Sequence, residues 1–225
     1  MGTGNRNNKQ IRTSQHTGFR IKKSGIYLLL ILLFSSVLVH GQKFEGGIGG
    51  GLSASQVDGD TYSGFNKIGI IAGGWVSHNI FSNIDGQLEL MFVGKGAYET
   101  NNKISPPIYY NLRLRFIDLP ILLNYSYRKN VVFNLGVEPE YLVYHKLQDA
   151  NGPIQDVGQP YNNLSMSAVA GVGYKLFDKF IFNVRYSYSV FPIRPHAFNQ
   201  TWFFNRGLYN NCLTVMLFYR ISLQH

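Results

Sequence analysis

The chain has 225 residues with 21 basic and 12 acidic side chains, a formal charge of +9, and 15% aromatic residues. Six of the basic residues, Arg6, Lys9, Arg12, Arg20, Lys22 and Lys23, precede residue 42, and no acid does, so residues 42–225 carry 15 against 12, a net +3. No basic stripe remains there to follow a phosphate backbone, which argues against nucleic-acid binding. The single cysteine, Cys212, allows no intramolecular disulfide and reads as a small strand residue.

The basic amino end runs into an apolar stretch from Ile26 to Val39, then His40, Gly41 and Gln42. A core of this length is short for a membrane span of about 20 residues. Residues 1–41 therefore read as a secretory signal peptide, cleaved before Gln42, and residues 42–225 as one domain.

That domain shows no helical period. Strand-length segments are expected at 43–55, 65–77, 84–97, 109–127, 131–145, 162–177, 179–190 and 209–223. In the seventh, Phe180, Phe182, Val184, Tyr186, Tyr188 and Val190 alternate with Ile181, Asn183, Arg185, Ser187 and Ser189. Period-two alternation sends the two sets to opposite faces. Glycines 46, 47, 49, 50 and 51 in the first segment lack the Lys-Ser/Thr ending of a phosphate loop and read as relief of crowding in a curved strand.

Links between segments alternate in length. Gln56 to Gly64, Glu99 to Ile108, Lys146 to Pro160 and Phe191 to Leu208 are long; the links near Ser77 to Asn83, at Arg128 to Asn130 and at Asp178 are short. A soluble sandwich has no reason to sort its links so, whereas a barrel in the outer membrane of a diderm bacterium has short inner turns and longer outer loops. Tyr125, Tyr127, Tyr174, Phe177, Phe180 and Tyr219 gather near the short turns. Tyr109, Tyr110, Tyr141, Tyr144, Tyr161, Tyr188 and Tyr209 gather near the long loops, as two interfacial girdles would. The expected fold is all-β: an eight-stranded antiparallel up-and-down transmembrane β-barrel with a filled polar lumen.

If the apolar residues face lipid, the inward set includes Glu89, Arg113, Arg115, Asp118, Glu138, Glu140, Lys175, Arg185 and Arg220, with Glu45, Gln87 and Asn134. An eight-stranded interior is just wide enough for side chains to fill, so these groups should pair across the lumen and leave no open pore. Reaching that arrangement in the fourth segment needs a β-bulge. Leu112, Leu114 and Phe116 keep one parity and Ile117, Leu119, Ile121, Leu123 and Tyr125 the other, and an extra residue at Phe116–Ile117, next to Pro120, would turn both sets outward.

Several patterns together resemble the bacterial outer-membrane β-barrel domain labelled porin-like or PorT-like. They are Val57-Asp58-Gly59-Asp60 with Gly64-Phe65-Asn66-Lys67-Ile68-Gly69, Leu88-Glu89-Leu90 with Lys95-Gly96, and Phe116-Ile117-Asp118-Leu119-Pro120. The resemblance implies an eight-stranded barrel without an assigned activity; the label itself implies neither a channel nor a part in secretion.

Little in the chain points to chemistry. Asp58-Gly59-Asp60 lacks the later glutamate of a calcium loop and reads as an Asx turn. His145, His196, Asp149, Asp156 and Ser189 fall near the loop end with no spacing that fixes a triad. No catalytic, cofactor-binding or metal site is expected. The expected role is a non-catalytic integral outer-membrane protein, structural or partner-binding through four outer loops. Its partners would be outer-membrane lipid, the barrel assembly machinery and a protein or surface ligand at the loops. The alternatives are a barrel enzyme acting on lipid, a small-solute transporter, or a soluble periplasmic lipid-binding barrel, which would need an apolar lumen.

Overall fold

The computed structural model describes residues 44–60, 64–101, 108–154, 160–195 and 207–221. The expected signal peptide lies outside them, as do His196 and Asp156. The described strands are β1 (Phe44–Asp58), β2 (Lys67–Phe81), β3 (Ile84–Asn101), β4 (Ile108–Asp118), β5 (Ile121–Tyr127), β6 (Val131–Asp149), β8 (Leu164–Phe177), β9 (Phe180–Ser189) and β11 (Gly207–Ile221). Two short pieces, β7 (Gly152–Pro153) and β10 (Arg194–Pro195), extend the sheet at the long-loop end.

Every neighbour is antiparallel, in the order β1-β2-β3-β4-β6-β8-β9-β11, and β5 continues β4 between β3 and β6. Pairing of β1 with β11, from Gly46↔Ile221 to Asp58↔Tyr209, closes eight staves into a ring. Closure removes the two sheet edges, so strand N–H and C=O groups find partners within the ring. Glycine permits the closing contact: a Cβ on Gly47 or Gly51 would stand 1.9 or 2.0 Å from the carbonyl oxygen of Tyr219 or Val215. Phe218 lays its ring over Gly49, filling the space a side chain would take.

Faces follow the alternation. Ile48, Leu52, Leu90, Leu135, Val172 and Leu217 lie exposed on the outer wall, while Glu89, Asn134, Asn183, Arg185 and Ser187 are buried inside. Tyr125, Tyr127, Tyr174 and Phe177 ring the short-turn end, and Tyr141, Tyr144 and Tyr188 the other. Tyr110 and Tyr161 depart from the expected girdle and pack against an inner apolar cluster.

The expected bulge is not in the fourth stave. Met91↔Asp118 and Leu88↔Ile121 leave two residues between them on each strand, so the register with β3 passes through Leu119–Pro120 without an inserted residue. Pro120 has no N–H and interrupts the strand, but its carbonyl accepts from Glu89 N at 3.0 Å, and Leu119 N donates to Pro139 O at 2.8 Å. The extra residue lies opposite, in β6. Arg115 pairs with Tyr144 and Phe116 with Leu142, which leaves Val143 unmatched. Val143 and Tyr144 are consequently both exposed, and β6 changes face there. Leu112, Leu114 and Phe116 therefore point inward, where all three are buried.

Candidate functional site

Three layers of side chains fill the ring. Nearest the short turns, six residues form a closed hydrogen-bond circuit. Gln87 donates to Glu89, Asn124 to Gln87 (2.6 Å), Asn134 to Asn124 (2.7 Å) and Asn183 to Asn134 (2.6 Å). Arg185 donates from Nε to Asn183 (2.8 Å) and closes the circuit with two 2.8 Å bonds to Glu89. This bidentate fork matches guanidinium to carboxylate, the pairing that best offsets removal of both charges from water. The Arg185 guanidinium also lies 5.2 Å over the Phe218 ring, which meets Trp75 edge-on at 6.3 Å.

Lys95 occupies the middle layer, with 1% of its side chain exposed. Its ammonium lies 2.8 Å from Asp118, 2.9 Å from Glu140 and 3.0 Å from Glu138. Ser165 and Ser167 donate to the Glu140 carboxylate. Oxygens of the three acids lie within 4.8 Å of one another, a hard donor set of the kind that holds cations. Here the ammonium already sits among them, so the protein carries its own counter-ion.

Toward the long loops the filling becomes apolar. Val57, Ala97, Leu112, Leu114, Phe116, Leu142 and Ile193 form one buried cluster, supported by Tyr110, Leu147, Tyr161 and Leu208. The space left between the two charged layers is about 10 Å³, lined by Glu89, Lys95, Asp118, Arg185, Thr214 and Met216 among others. That is room for about one water molecule. A second apolar cluster, Ile71, Trp75, Met91, Val93, Met216 and Phe218, packs beside the two charged layers, so the interior combines charged networks with apolar filling throughout its height.

Of the nine side chains expected in the lumen, Glu89, Asp118, Glu138, Glu140 and Arg185 are buried there and meet in these two clusters. Arg220 is half-buried at the short-turn rim, 3.2 Å from Glu45, and Lys175 is half-buried near the same rim. Arg113 and Arg115 are a correction: both are exposed on the outer wall. The unbroken register that turns Asp118 inward turns residues of the opposite parity outward, and only the expected bulge would have reconciled them. Sequence reasoning also missed Lys95 as a lumen residue. Its signal was present, since six positions after Glu89 in an alternating strand is the same face.

The remaining candidates stand apart. Asp58 accepts from Gln56 (2.7 Å) and Asn211 (3.3 Å), and Gly59 takes the positive φ of a turn glycine. Asp149 accepts from Asn151 N at 2.8 Å, Ser189 Oγ accepts from Asn210 N at 3.1 Å, and the His145 ring packs 5.2 Å from that of Tyr161. Each is engaged in a local structural contact. Cys212 is buried and unpaired by any disulfide.

A closed antiparallel ring with an apolar, girdled outer wall and a filled interior defines a small outer-membrane barrel. The chain belongs to the outer membrane protein beta-barrel domain family, whose model matches residues 35–194, more than half of it. It is an outer-membrane protein. The chain is similar to two solved structures, and the first shares its fold. Neisserial surface protein A is 10% identical with a TM-score of 0.53, over 81% of this chain and 100% of that one. Ail, the attachment invasion locus protein of Yersinia pestis, is 13% identical with a TM-score of 0.49, over 80% and 99%. No curated protein sequence matches the chain.

Proposed function

We propose that this protein is a non-catalytic, non-conducting barrel that anchors its four outer loops in the outer membrane and presents them to a protein or surface ligand. The observation that supports this reading is the filling of the lumen. The two ion clusters leave about 10 Å³ between them, too little for a hydrated ion or a solute to pass, and a buried apolar cluster fills the ring above. The charged middle argues against a lipid carrier, which would need an apolar cavity. Function then falls to the loops, which a rigid scaffold holds in place.

Two measurements test the proposal. Purified barrel in planar bilayers should show no steady ion conductance; stepwise conductance from the wild-type chain would overturn the sealed reading. Pull-downs from native membranes with residues 155–159 or 196–206 replaced by a Gly-Ser link should lose one specific partner with one replacement. Retention of every partner by both variants would move the function away from these loops.

A further inference from the structure

The outward arginines that interrupt the apolar wall call for a ligand. Arg115 and Arg113 project from β4 on the membrane-facing side, two and four residues beyond Ile117, which among the described side chains is the last exposed apolar residue of that stave before the loop end. Their height follows from strand geometry. Ten residues separate Tyr125, in the short-turn girdle, from Arg115; at about 3.3 Å per residue and a tilt of about 40° they rise roughly 25 Å, the height of the apolar band of such barrels. Arg115 therefore stands at the outer boundary of the hydrocarbon, at headgroup level, with Arg113 about 5 Å higher by the same geometry.

The surroundings form a cationic notch. On one side the register partners of Arg115 and Arg113 are Gly94 and Gly96, which leave a strip of bare backbone beside the guanidinium groups. On the other side their partners are Tyr144 and Lys146. The Arg115 guanidinium lies 4.9 Å over the Tyr144 ring, which holds it against the wall. Among the described residues no carboxylate pairs with Arg113, Arg115 or Lys146. Lys67, near Arg113, donates to Asn111 Oδ1 at 2.7 Å.

We propose that Arg113, Arg115 and Lys146 form a binding site for the phosphate group of an outer-leaflet lipid, with the acyl chains lying on the apolar wall below. Guanidinium is the residue type that recognises phosphate by paired hydrogen bonds. Placement decides the source of that phosphate. These side chains leave strands at the edge of the apolar band, where a lipid headgroup is the neighbouring anion.

The test uses the full chain, folded into detergent micelles and checked by heat-modifiable migration. Native mass spectrometry then follows retention of bisphosphorylated lipid A, of the same lipid with its phosphates removed, and of the first lipid in the presence of millimolar inorganic phosphate. The wild type should retain the phosphorylated lipid and not the dephosphorylated one, and inorganic phosphate should not displace it. R113Q/R115Q should lower retention about tenfold, equivalent to ~1.4 kcal/mol, and K146Q by a smaller factor, while both variants keep the folded migration. Equal retention of the two lipids, or retention unchanged in R113Q/R115Q, would overturn the site. Displacement by inorganic phosphate would overturn the lipid assignment, and if R113Q/R115Q fails to fold, unchanged retention in K146Q and R115Q would do the same for the site.

Discussion

Lys95→Met removes the one cation that three buried carboxylates share. At an effective dielectric of about 20, each ion pair near 3 Å contributes roughly 5 kcal/mol of attraction, and each carboxylate pair within 4.8 Å repels by about 3 kcal/mol or more. The cation therefore outweighs the mutual repulsion, and without it only repulsion and desolvation remain. Relaxation and proton uptake limit the observed cost to the ~3–5 kcal/mol found when a buried pair loses one partner. That is a shift of about a hundredfold to a few thousandfold in the unfolding equilibrium, a large part of a typical total stability of about 5–15 kcal/mol. Urea unfolding of the barrel refolded into lipid vesicles, followed by tryptophan fluorescence and heat-modifiable migration, measures it. K95M/D118N/E138Q/E140Q, which leaves no net charge in the layer, should recover most of the loss, because neutral replacement of a buried ionic cluster is often tolerated. A loss under about 1 kcal/mol in K95M, or no recovery in the quadruple variant, would refute the view that Lys95 balances these acids.

Other expectations follow from the same layers. Arg185→Met leaves Glu89 buried without its fork and should cost about 3–5 kcal/mol in the same unfolding assay, whereas Arg185→Met with Glu89→Gln should cost less. Gly51→Val drives a side chain against the Val215 carbonyl and should abolish closure of β1 on β11, read as loss of heat-modifiable migration. Leu135→Arg, in the middle of the outer wall, should destabilise by ~2–4 kcal/mol, while Val143→Arg at the outer rim should cost about 1 kcal/mol or less. In a Cys212→Ser background, Arg115→Cys should react with a water-soluble maleimide in the folded protein and Leu114→Cys should not. The reverse pattern would restore the bulge in the fourth stave and remove the cationic notch.

Much of the barrel was legible along the chain because its governing rule is local. Side chains in a strand alternate whatever the partner, so the faces of residues 180–189 follow from their order, as do Glu89, Glu138 and Glu140 inside. Alternating link lengths likewise state the up-and-down order, and the even number of staves brings β1 and β11 side by side. The fourth stave resisted the same treatment. Leu112, Leu114 and Phe116 look lipid-facing by composition, and Arg113 and Arg115 look luminal, yet both assignments invert in the structure.

The reason is that polarity names a side chain's preferred medium, whereas facing is decided by register with the neighbouring strands. Register with β3 runs through Pro120 without a slip, and the compensating extra residue, Val143, lies across the ladder in β6, where no local pattern in the fourth segment could announce it. Apolar side chains toward the loop end, where the stave leaves the hydrocarbon, gain by burial in the lumen rather than by facing out. The Lys95 cluster has the same origin. Its four members come from β3, β4 and β6, and only the lateral order of the strands brings their charges within 3.0 Å of one ammonium. Sequence alone thus determined the architecture and most of the two faces through a period-two rule acting within each strand. Tertiary structure decided which charges meet, which cap the lumen and which remain on the outer wall, because those depend on pairing between strands far apart in the chain.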